Sequence, residues 1–231
     1  MKKLSTFLLF IAISPVLFGQ GMEHHHSSHE GNLEVPETWE VRLDREMDDL
    51  HISSDEEQGH IYFVNMTPGW HITTGPAAIF WHPDSELSDT YTVQTSIYTL
   101  DPNGRHAEGF GLFFGGKDLK EDGHAYLYFL IRNSGDFLIK ERIGDRTETI
   151  QGWTSSEAIN RHTEAQETDS RIGSHAFNQL SVAVTGDHID FYINEAKVAS
   201  IDSDGYDTNG LFGLRINHAV DVHVSNIGEV K

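Results

Sequence analysis

The chain has 231 residues with a formal net charge of -20, from 36 acidic and 16 basic residues, and it contains no cysteine. A surface this acidic repels nucleic acid and anionic membranes, so neither is expected as a partner. Without cysteine the chain has no disulfide, no thiolate chemistry and no lipid-attachment cysteine, and its stability must come from packing.

The first 19 residues have the composition of a secretory signal peptide. Two lysines near the start precede a short apolar stretch over residues 4–18, which a Ser-Pro pair interrupts, and Gly19 is a small residue at the expected cleavage point. The apolar stretch is too short and too interrupted for a membrane span. We therefore expect residues 1–19 to be removed and the mature protein to be secreted or periplasmic, without membrane insertion.

Residues 20–38 are predicted to be a disordered, histidine-rich tail. The segment contains His24, His25, His26 and His29 and has few apolar residues that pack against a core. Neutral imidazoles bind Zn, Cu or Ni, but no paired carboxylates or second cluster define a coordination geometry here. We predict no specific metal site and no cofactor.

Residues 39–231 are predicted to form one domain made of β-strands. Short runs with period-two alternation recur between turn residues, and no window shows a helical period over three turns. The runs are 39–43, 61–66, 70–74, 78–81, 90–100, 109–115, 124–132, 136–143, 147–153, 177–185, 188–194, 197–201, 210–217 and 220–224. Many short strands without helices predict an all-β, two-sheet antiparallel sandwich, with a closed barrel as the competing architecture.

Alternation within the runs predicts which side chains share a face. Lys140 and Arg142 lie opposite the apolar residues of run 136–143, and Arg215 lies opposite those of run 210–217. Residues 126–131 are apolar on both faces, which predicts a central strand covered on both sides. A turn over residues 133–135, which ends in glycine, joins that strand to the next.

Several of these segments together resemble a known class of domain. They read AYLYFLIRNSGDFLIKERIGD, then GWT, then FNQLSVAVTGDHIDFYINEAKVASI, then GLFGLRINHAVDVHV. This pattern resembles concanavalin A-like jelly-roll domains of secreted bacterial proteins, and among them the 3-keto-disaccharide hydrolase-like family. The resemblance covers residues 39–230 and implies a two-sheet jelly roll whose concave face meets carbohydrate. It assigns no catalytic residue to this chain.

The sequence lacks the usual signatures of catalysis. Glycosidases place two carboxylates across the scissile bond, and jelly-roll glucanases carry them on one strand as Glu-x-Asp-x-x-Glu or Glu-x-Asp-x-Glu. Neither pattern occurs here, and the catalytic residues are left unknown. Asp221 and His223 share one face of a strand near His218, but without a third ligand we predict no metal site.

Aromatic and cationic residues are the predicted sugar-binding groups. Aromatic rings pack on the apolar faces of pyranose rings, while charged and amide groups bind their hydroxyls. The predicted site residues are Arg132, Lys140, Arg142, Arg215, Asn217, His223, Trp70, His71, Trp81 and Trp153.

The four cations of this set are expected to share a solvent-reachable groove, with Asp221 and His223 aligned beside them. Such a groove suits an oxygen-rich or anionic sugar. Because an exposed ion pair is worth about 0–1 kcal/mol, replacing Arg215 is expected to cost little stability.

Three classes of function follow from the sequence. The first is a secreted carbohydrate-binding domain that recognises a sugar on its concave sheet. The second is a sugar-acting hydrolase or lyase of the 3-keto-glycoside type, whose chemistry starts with abstraction of a C–H proton and needs no carboxylate pair. The third is a non-catalytic protein-interaction domain.

Overall fold

The computed structural model of the chain describes residues 33–100, 108–162, 168–169 and 173–231. The predicted signal peptide and the histidines of residues 20–32 lie outside the described residues. In the described part the regular secondary structure consists of strands alone. They are β1 (Glu40–Leu43), β2 (Ile52–Ser53), β3 (Ile61–Asn65), β4 (Trp70–Thr74), β5 (Ala78–Leu87), β6 (Tyr91–Leu100), β7 (Gly109–Lys117), β8 (Ala125–Arg132), β9 (Asp136–Ile143), β10 (Arg146–Ser155), β11 (Thr168–Asp169), β12 (Gly173–Val184), β13 (His188–Ile193), β14 (Ala196–Asp202), β15 (Gly210–Ile216) and β16 (Asp221–Glu229).

The strands form two sheets. Sheet A has seven strands in the order β1-β5-β15-β7-β8-β9-β10. Sheet B has the order β14-β13-β12-β6-β16-β4-β3-β2, with β11 paired to β12 beside this path. Paired strands run antiparallel, except for the short parallel pair β2–β3. The predicted all-β, two-sheet antiparallel sandwich is confirmed.

The fourteen predicted strands are all present, with ends that differ by up to six residues. Alternation located many of them because a strand that buries one face keeps a period-two pattern in its sequence, whereas β8, which is covered on both faces, shows a continuous apolar run. The strands that the sequence did not reveal are β2 and β11, which have two residues each. Two residues are too few to show any alternation.

Two hairpin turns, the predicted one at residues 133–135 and one at residues 194–195, have positive φ angles. Residues 133–135 join β8 to β9, and Gly135 has φ of 91°, a conformation that glycine adopts without the steric cost of a Cβ. Between β13 and β14, Asn194 and Glu195 have φ of 48° and 69°. Positive φ at both central positions is the mark of the tight hairpin turn that matches the twist of β-strands.

The main core lies between the two sheets and is rich in aromatic residues. Phe80, Leu112 and Phe129 from sheet A meet Phe63 and Phe191 from sheet B, and each of these side chains is at most 1% exposed. Burying one large apolar side chain stabilises the fold by about 1.5–3 kcal/mol, so this layer is the main source of stability in a chain without disulfides.

The chain is packed against the sandwich before its first strand. Pro36 is buried, and the backbone nitrogen of Asn65 donates a hydrogen bond of 3.0 Å to the carbonyl oxygen of Glu34. The final residues of the segment predicted as a tail therefore pair with β3.

Candidate functional site

The outer face of sheet A, which points away from the main core, carries a second apolar cluster. Its members are at most 5% exposed and are Ile79, Trp81, Phe113, Leu119, Tyr126, Tyr128, Leu130 and Leu138. Antiparallel sheets commonly leave the outer face in water, whereas here the chain covers it. Leu119 comes from the loop between β7 and β8 and is part of that cover. The prediction that β8 is covered on both faces is confirmed.

An ion-pair bridge holds this face in a curled shape. Asp44, the residue after β1, accepts hydrogen bonds from both terminal nitrogens of Arg215 and lies 3.2 Å from Nη1 of Arg142. Arg142 is on β9, the fifth strand from β1 in sheet A, and five strand spacings in a flat sheet amount to about 24 Å. The ion pair therefore shows that opposite corners of the sheet approach each other, which makes the outer face concave.

A buried histidine completes this end of the face. Nε of Arg142 donates to the carbonyl oxygen of Gly144 at 2.9 Å and to Nε2 of His124 at 3.2 Å. Nδ1 of His124 lies 3.0 Å from the carbonyl oxygen of Glu121, which can only accept, so Nδ1 carries the proton. Burial, together with the charges of Arg42 and Arg142, lowers the pKa of His124 and favours the neutral ring.

An open groove of about 820 Å³ lies beside the bridge. Its lining mixes both charge signs and consists of Arg42, Leu43, Asp44, Arg45, Glu46, Asp122, His124, Arg142, Asp145 and Thr147. Because Arg142 pairs with Asp44, and Glu46, Asp122 and Asp145 also line the groove, it does not form the cationic surface that the sequence predicted.

The opposite end of the concave face presents an aromatic platform. Trp153 lies on β10 where the pairing with β9 slips, and such a bulge turns a side chain away from the regular pleat. Its ring is 38% exposed. The guanidinium carbon of Arg132 lies 4.4 Å from the ring centroid. A Cβ at Gly109 would lie only 2.9 Å from Cη2 of Trp153, so the missing side chain provides the space that the ring occupies.

Polar groups lie beside Gly109, the residue against which the Trp153 ring packs. Asn217, which follows β15, donates from its backbone nitrogen to the carbonyl oxygen of Gly109 at 2.9 Å. Its amide nitrogen lies 3.4 Å from Oε2 of Glu108, and Nε2 of His218 lies 3.3 Å from Oε1 of the same carboxylate. Oδ1 of Asn217 is buried and accepts no hydrogen bond from the described residues. Acceptors and donors therefore stand beside an exposed indole ring.

Asp136 adds a second carboxylate to this end. It accepts from Oγ of Ser134 at 2.6 Å and from Nε of Arg132 at 3.0 Å. These two interactions lower its pKa, so the carboxylate stays ionised in mild acid. We call the group formed by Trp153, Arg132, Asp136, Glu108, Asn217 and His218 the Trp153 site.

Seven of the ten predicted site residues lie on the outer face of sheet A. They are Arg132, Lys140, Arg142, Arg215, Asn217, Trp81 and Trp153. The structure places the four cations on this one face, but the solvent-reachable groove that the sequence predicted is not formed. Arg215 is 5% exposed and Arg142 is 8% exposed, and both pair with Asp44. Trp81 is also buried, at 2% exposure.

The remaining three predicted residues lie on sheet B, so the expected alignment of His223 beside the four cations is wrong. His71 is on β4 and His223 is on β16, and they sit directly opposite each other in the register of that sheet. Asp221 pairs with His71, at 2.7 Å, and does not join the cations. Trp70 packs on the main core, with its ring centroid 4.6 Å from that of Trp39.

Five residues of the two ends were not predicted from the sequence. They are Asp44, Glu108, His124, Asp136 and His218. The short turn after β8 brings Asp136 opposite Arg132, so this contact could have been predicted from the hairpin. Asp44 had no local signal, because its partners lie on distant strands.

No group of three or more potential metal-ligating side chains is found in the part of the chain that the structure describes. A search of the same residues finds no helix that is long and apolar enough to span a membrane.

Comparison with known proteins identifies the fold. The sequence matches no protein-family model, and it matches no curated protein. Carbohydrate binding module CBM66 from Bacillus subtilis is similar in structure, with a TM-score of 0.56 and 13% identity over 74% of this chain and 92% of that module. A Bacillus subtilis protein of unknown function with a galectin-like fold gives a TM-score of 0.53 and 11% identity, covering 83% of this chain and 88% of that one.

A third similar structure is an enzyme. The Bacteroides ovatus mixed-linkage glucan GH16 protein, in complex with a G4G4G3G product, gives a TM-score of 0.52 and 11% identity over 86% of this chain and 97% of that one. At such low identity these likenesses show the fold alone. They confirm the predicted concanavalin A-like jelly roll, whereas the predicted kinship with 3-keto-disaccharide hydrolases stays a prediction.

Proposed function

We propose that this chain is a carbohydrate-binding domain that holds a sugar against Trp153 at the concave face of sheet A. The observation that carries the proposal is the exposed indole ring of Trp153, backed by Arg132 and bordered by Glu108 and Asn217. An aromatic ring accepts the apolar face of a pyranose, and carboxylate and amide groups bind its hydroxyls. Structural similarity to a carbohydrate binding module supports the proposal at the level of fold.

The charges at the Trp153 site favour a neutral sugar over an anionic one. Arg132 pairs with Asp136 at 3.0 Å, and Arg161, which lies at Gly135, also acts on Asp136, so both cations already face this carboxylate; Glu108 is a second carboxylate, beside His218. A uronic acid placed here meets two carboxylates, and like charges at close range cost binding energy. Of the two kinds of ligand that the sequence suggested, an oxygen-rich or an anionic sugar, we therefore propose the neutral, oxygen-rich one.

Titration calorimetry tests this proposal. Wild-type protein is titrated with laminarihexaose, cellohexaose, a mixed-linkage glucan hexasaccharide and hexagalacturonate. We expect at least one neutral ligand to bind and hexagalacturonate not to bind. Trp153→Ala is expected to weaken the binding at least tenfold, which is about 1.4 kcal/mol.

Ile143→Ala is the matched control for that variant. Ile143 is 47% exposed on the neighbouring strand β9, and it faces away from the second apolar cluster. The affinity of the Ile143→Ala variant for the sugar should equal that of wild type. Wild-type affinity in Trp153→Ala, or binding of none of the neutral ligands, would contradict the proposal.

The sequence resemblance to 3-keto-disaccharide hydrolases defines the competing enzymatic function. Its chemistry needs a base that is free to take a proton from carbon. His124, the buried imidazole at the far end of the face, has both ring nitrogens in hydrogen bonds and is not free. Incubation with a 3-keto-disaccharide, followed by chromatography, should therefore leave the substrate intact, and its breakdown would favour the enzyme.

A further inference from the structure

The outer face of sheet B, on the opposite side of the sandwich, has a surface without charge. Strands β6 and β12 pair along their length, and their inward side chains, such as Val93 and Leu180, are fully buried in the core. Alternation directs ten side chains of the described parts of these strands outward. They are Thr92, Gln94, Ser96, Tyr98, Leu100, His175, Phe177, Gln179, Ser181 and Ala183. None is Asp, Glu, Lys or Arg, although the chain has 52 such residues (36 acidic and 16 basic).

One end of this surface is aromatic. The ring centroids of Tyr98 and Phe177 are 4.9 Å apart, with a tilt of 52° between the ring planes. His175 and His223 lie at 5.1 Å and 5.7 Å from Tyr98 and extend the row of rings on both sides. Phe177 is 36% exposed, close to the exposure of Trp153. The exposed phenyl ring of Phe177 packs on Tyr98, which His175 and His223 flank, and this group offers an apolar platform.

Amide and hydroxyl groups continue from the rings along the same two strands. Gln179 lies opposite Ser96, and Ser181 lies opposite Gln94. Oγ of Ser181 donates a hydrogen bond of 3.2 Å to Oε1 of Gln94, which holds both side chains on the surface. The order along the strands is therefore an aromatic platform followed by neutral donors and acceptors.

We propose that this β6–β12 face is a second binding surface, which takes a neutral polysaccharide chain independently of the Trp153 site. Neutral sugars match it because rings accept their apolar faces while glutamine and serine exchange hydrogen bonds with their hydroxyls.

A protein partner matches this face less well. A stable protein interface buries about 800 Å² per partner around an apolar centre. Of the six large hydrophobic residues exposed among those that the structure describes, Phe177 is the one that belongs to this face.

The two surfaces are tested separately by nuclear magnetic resonance. The ¹⁵N-labelled protein is titrated with laminarihexaose, cellohexaose, xylohexaose and mannohexaose, each up to 10 mM. Amide signals of β6 and β12 report the new surface, and the indole signal of Trp153 reports the first one. The variants are Phe177→Ala, Gln179→Ala and Trp153→Ala, whose changed side chains all lie on the protein surface.

We expect at least one neutral hexasaccharide to shift the amides of β6 and β12. Phe177→Ala should weaken that binding about tenfold and Gln179→Ala about threefold, while Trp153→Ala leaves it unchanged. Shifts confined to the Trp153 indole would overturn the second surface and leave the first proposal standing. Shifts in β6 and β12 that disappear in Trp153→Ala would also overturn it, and so would the absence of any shift there. Shifts in β6 and β12 without a Trp153 response would support this surface and contradict the first proposal.

Discussion

Replacement of Arg215 tests the role of the buried bridge at the concave face. Arg215 is 5% exposed and contacts Asp44 through both terminal nitrogens. Removing one partner of a buried ion pair costs about 3–5 kcal/mol, because the other charge stays buried without compensation. In Arg215→Met, Asp44 keeps Arg142 at 3.2 Å, so the cost should fall at the lower end, about 3 kcal/mol.

The complementary change at Asp44 should cost more. Asp44→Asn leaves two buried arginines near each other, with the fully exposed Asp145, 4.0 Å from Arg142, as the remaining carboxylate, and we expect a loss near the upper end of the range, about 5 kcal/mol. For a domain of this size, each kcal/mol lowers the melting temperature by about 2–4 °C, so Arg215→Met should melt about 6–12 °C below wild type.

Urea unfolding followed by tryptophan fluorescence measures these differences. Arg146→Met is the matched control, because Arg146 is exposed on β10, and it should stay within about 0.5 kcal/mol of wild type. Arg215→Met within about 1 kcal/mol of wild type would refute the bridge as a structural element. That result would agree with the sequence-based expectation that Arg215 forms a weak, exposed ion pair.

Three further predictions concern other parts of the sandwich. Burial and the facing Glu148 raise the pKa of Glu141. The free energy of unfolding therefore falls as the pH rises above about 4.3, the value in the unfolded chain, and through the raised pKa of the folded protein. Glu141→Gln should increase the free energy of unfolding by about 0.5 kcal/mol at pH 7 and leave it unchanged at pH 3. Equal stability of wild type and this variant in urea at pH 7 would contradict it. Gly109→Ala places a Cβ 2.9 Å from Cη2 of Trp153 and displaces the indole ring. This variant should stay folded and bind sugar more weakly in calorimetry. An unchanged affinity would contradict the described position of the ring. Asn178 is 1% exposed, and both its amide oxygen and its amide nitrogen form hydrogen bonds. In urea unfolding, Asn178→Ala should lower the free energy of unfolding by about 2 kcal/mol, because its partners stay buried without hydrogen bonds. A loss below about 0.5 kcal/mol would show that these partners form other hydrogen bonds.

The sequence predicted the faces of single strands but not their assembly into sheets. Lys140 lies opposite Ile139, and Arg215 lies opposite Leu214, as alternation indicated, because the period of two is a local property. Which sheet a strand joins depends on distant pairing. β15 joins sheet A while the following β16 joins sheet B, and this separates His223 from Arg215.

The candidate site was predicted in part for the same reason. A short turn places Asp136 beside Arg132, and this contact follows from the hairpin alone. Asp44 meets Arg142 only because sheet A curls across its width, which no local pattern records. Burial of Arg215 was missed because the alternation that places a residue on an outer face does not say that another segment covers that face.

The indole signals of the four tryptophans test the central claim most directly. Trp39, Trp70 and Trp81 pack in the two apolar clusters, whereas Trp153 is 38% exposed, and loss of one signal in Trp153→Phe assigns its resonance. When the wild-type protein is titrated with the neutral hexasaccharides, we expect the Trp153 indole signal to shift and saturate while the chemical shifts of the other three indoles stay unchanged. A Trp153 signal that stays fixed through every titration would contradict it.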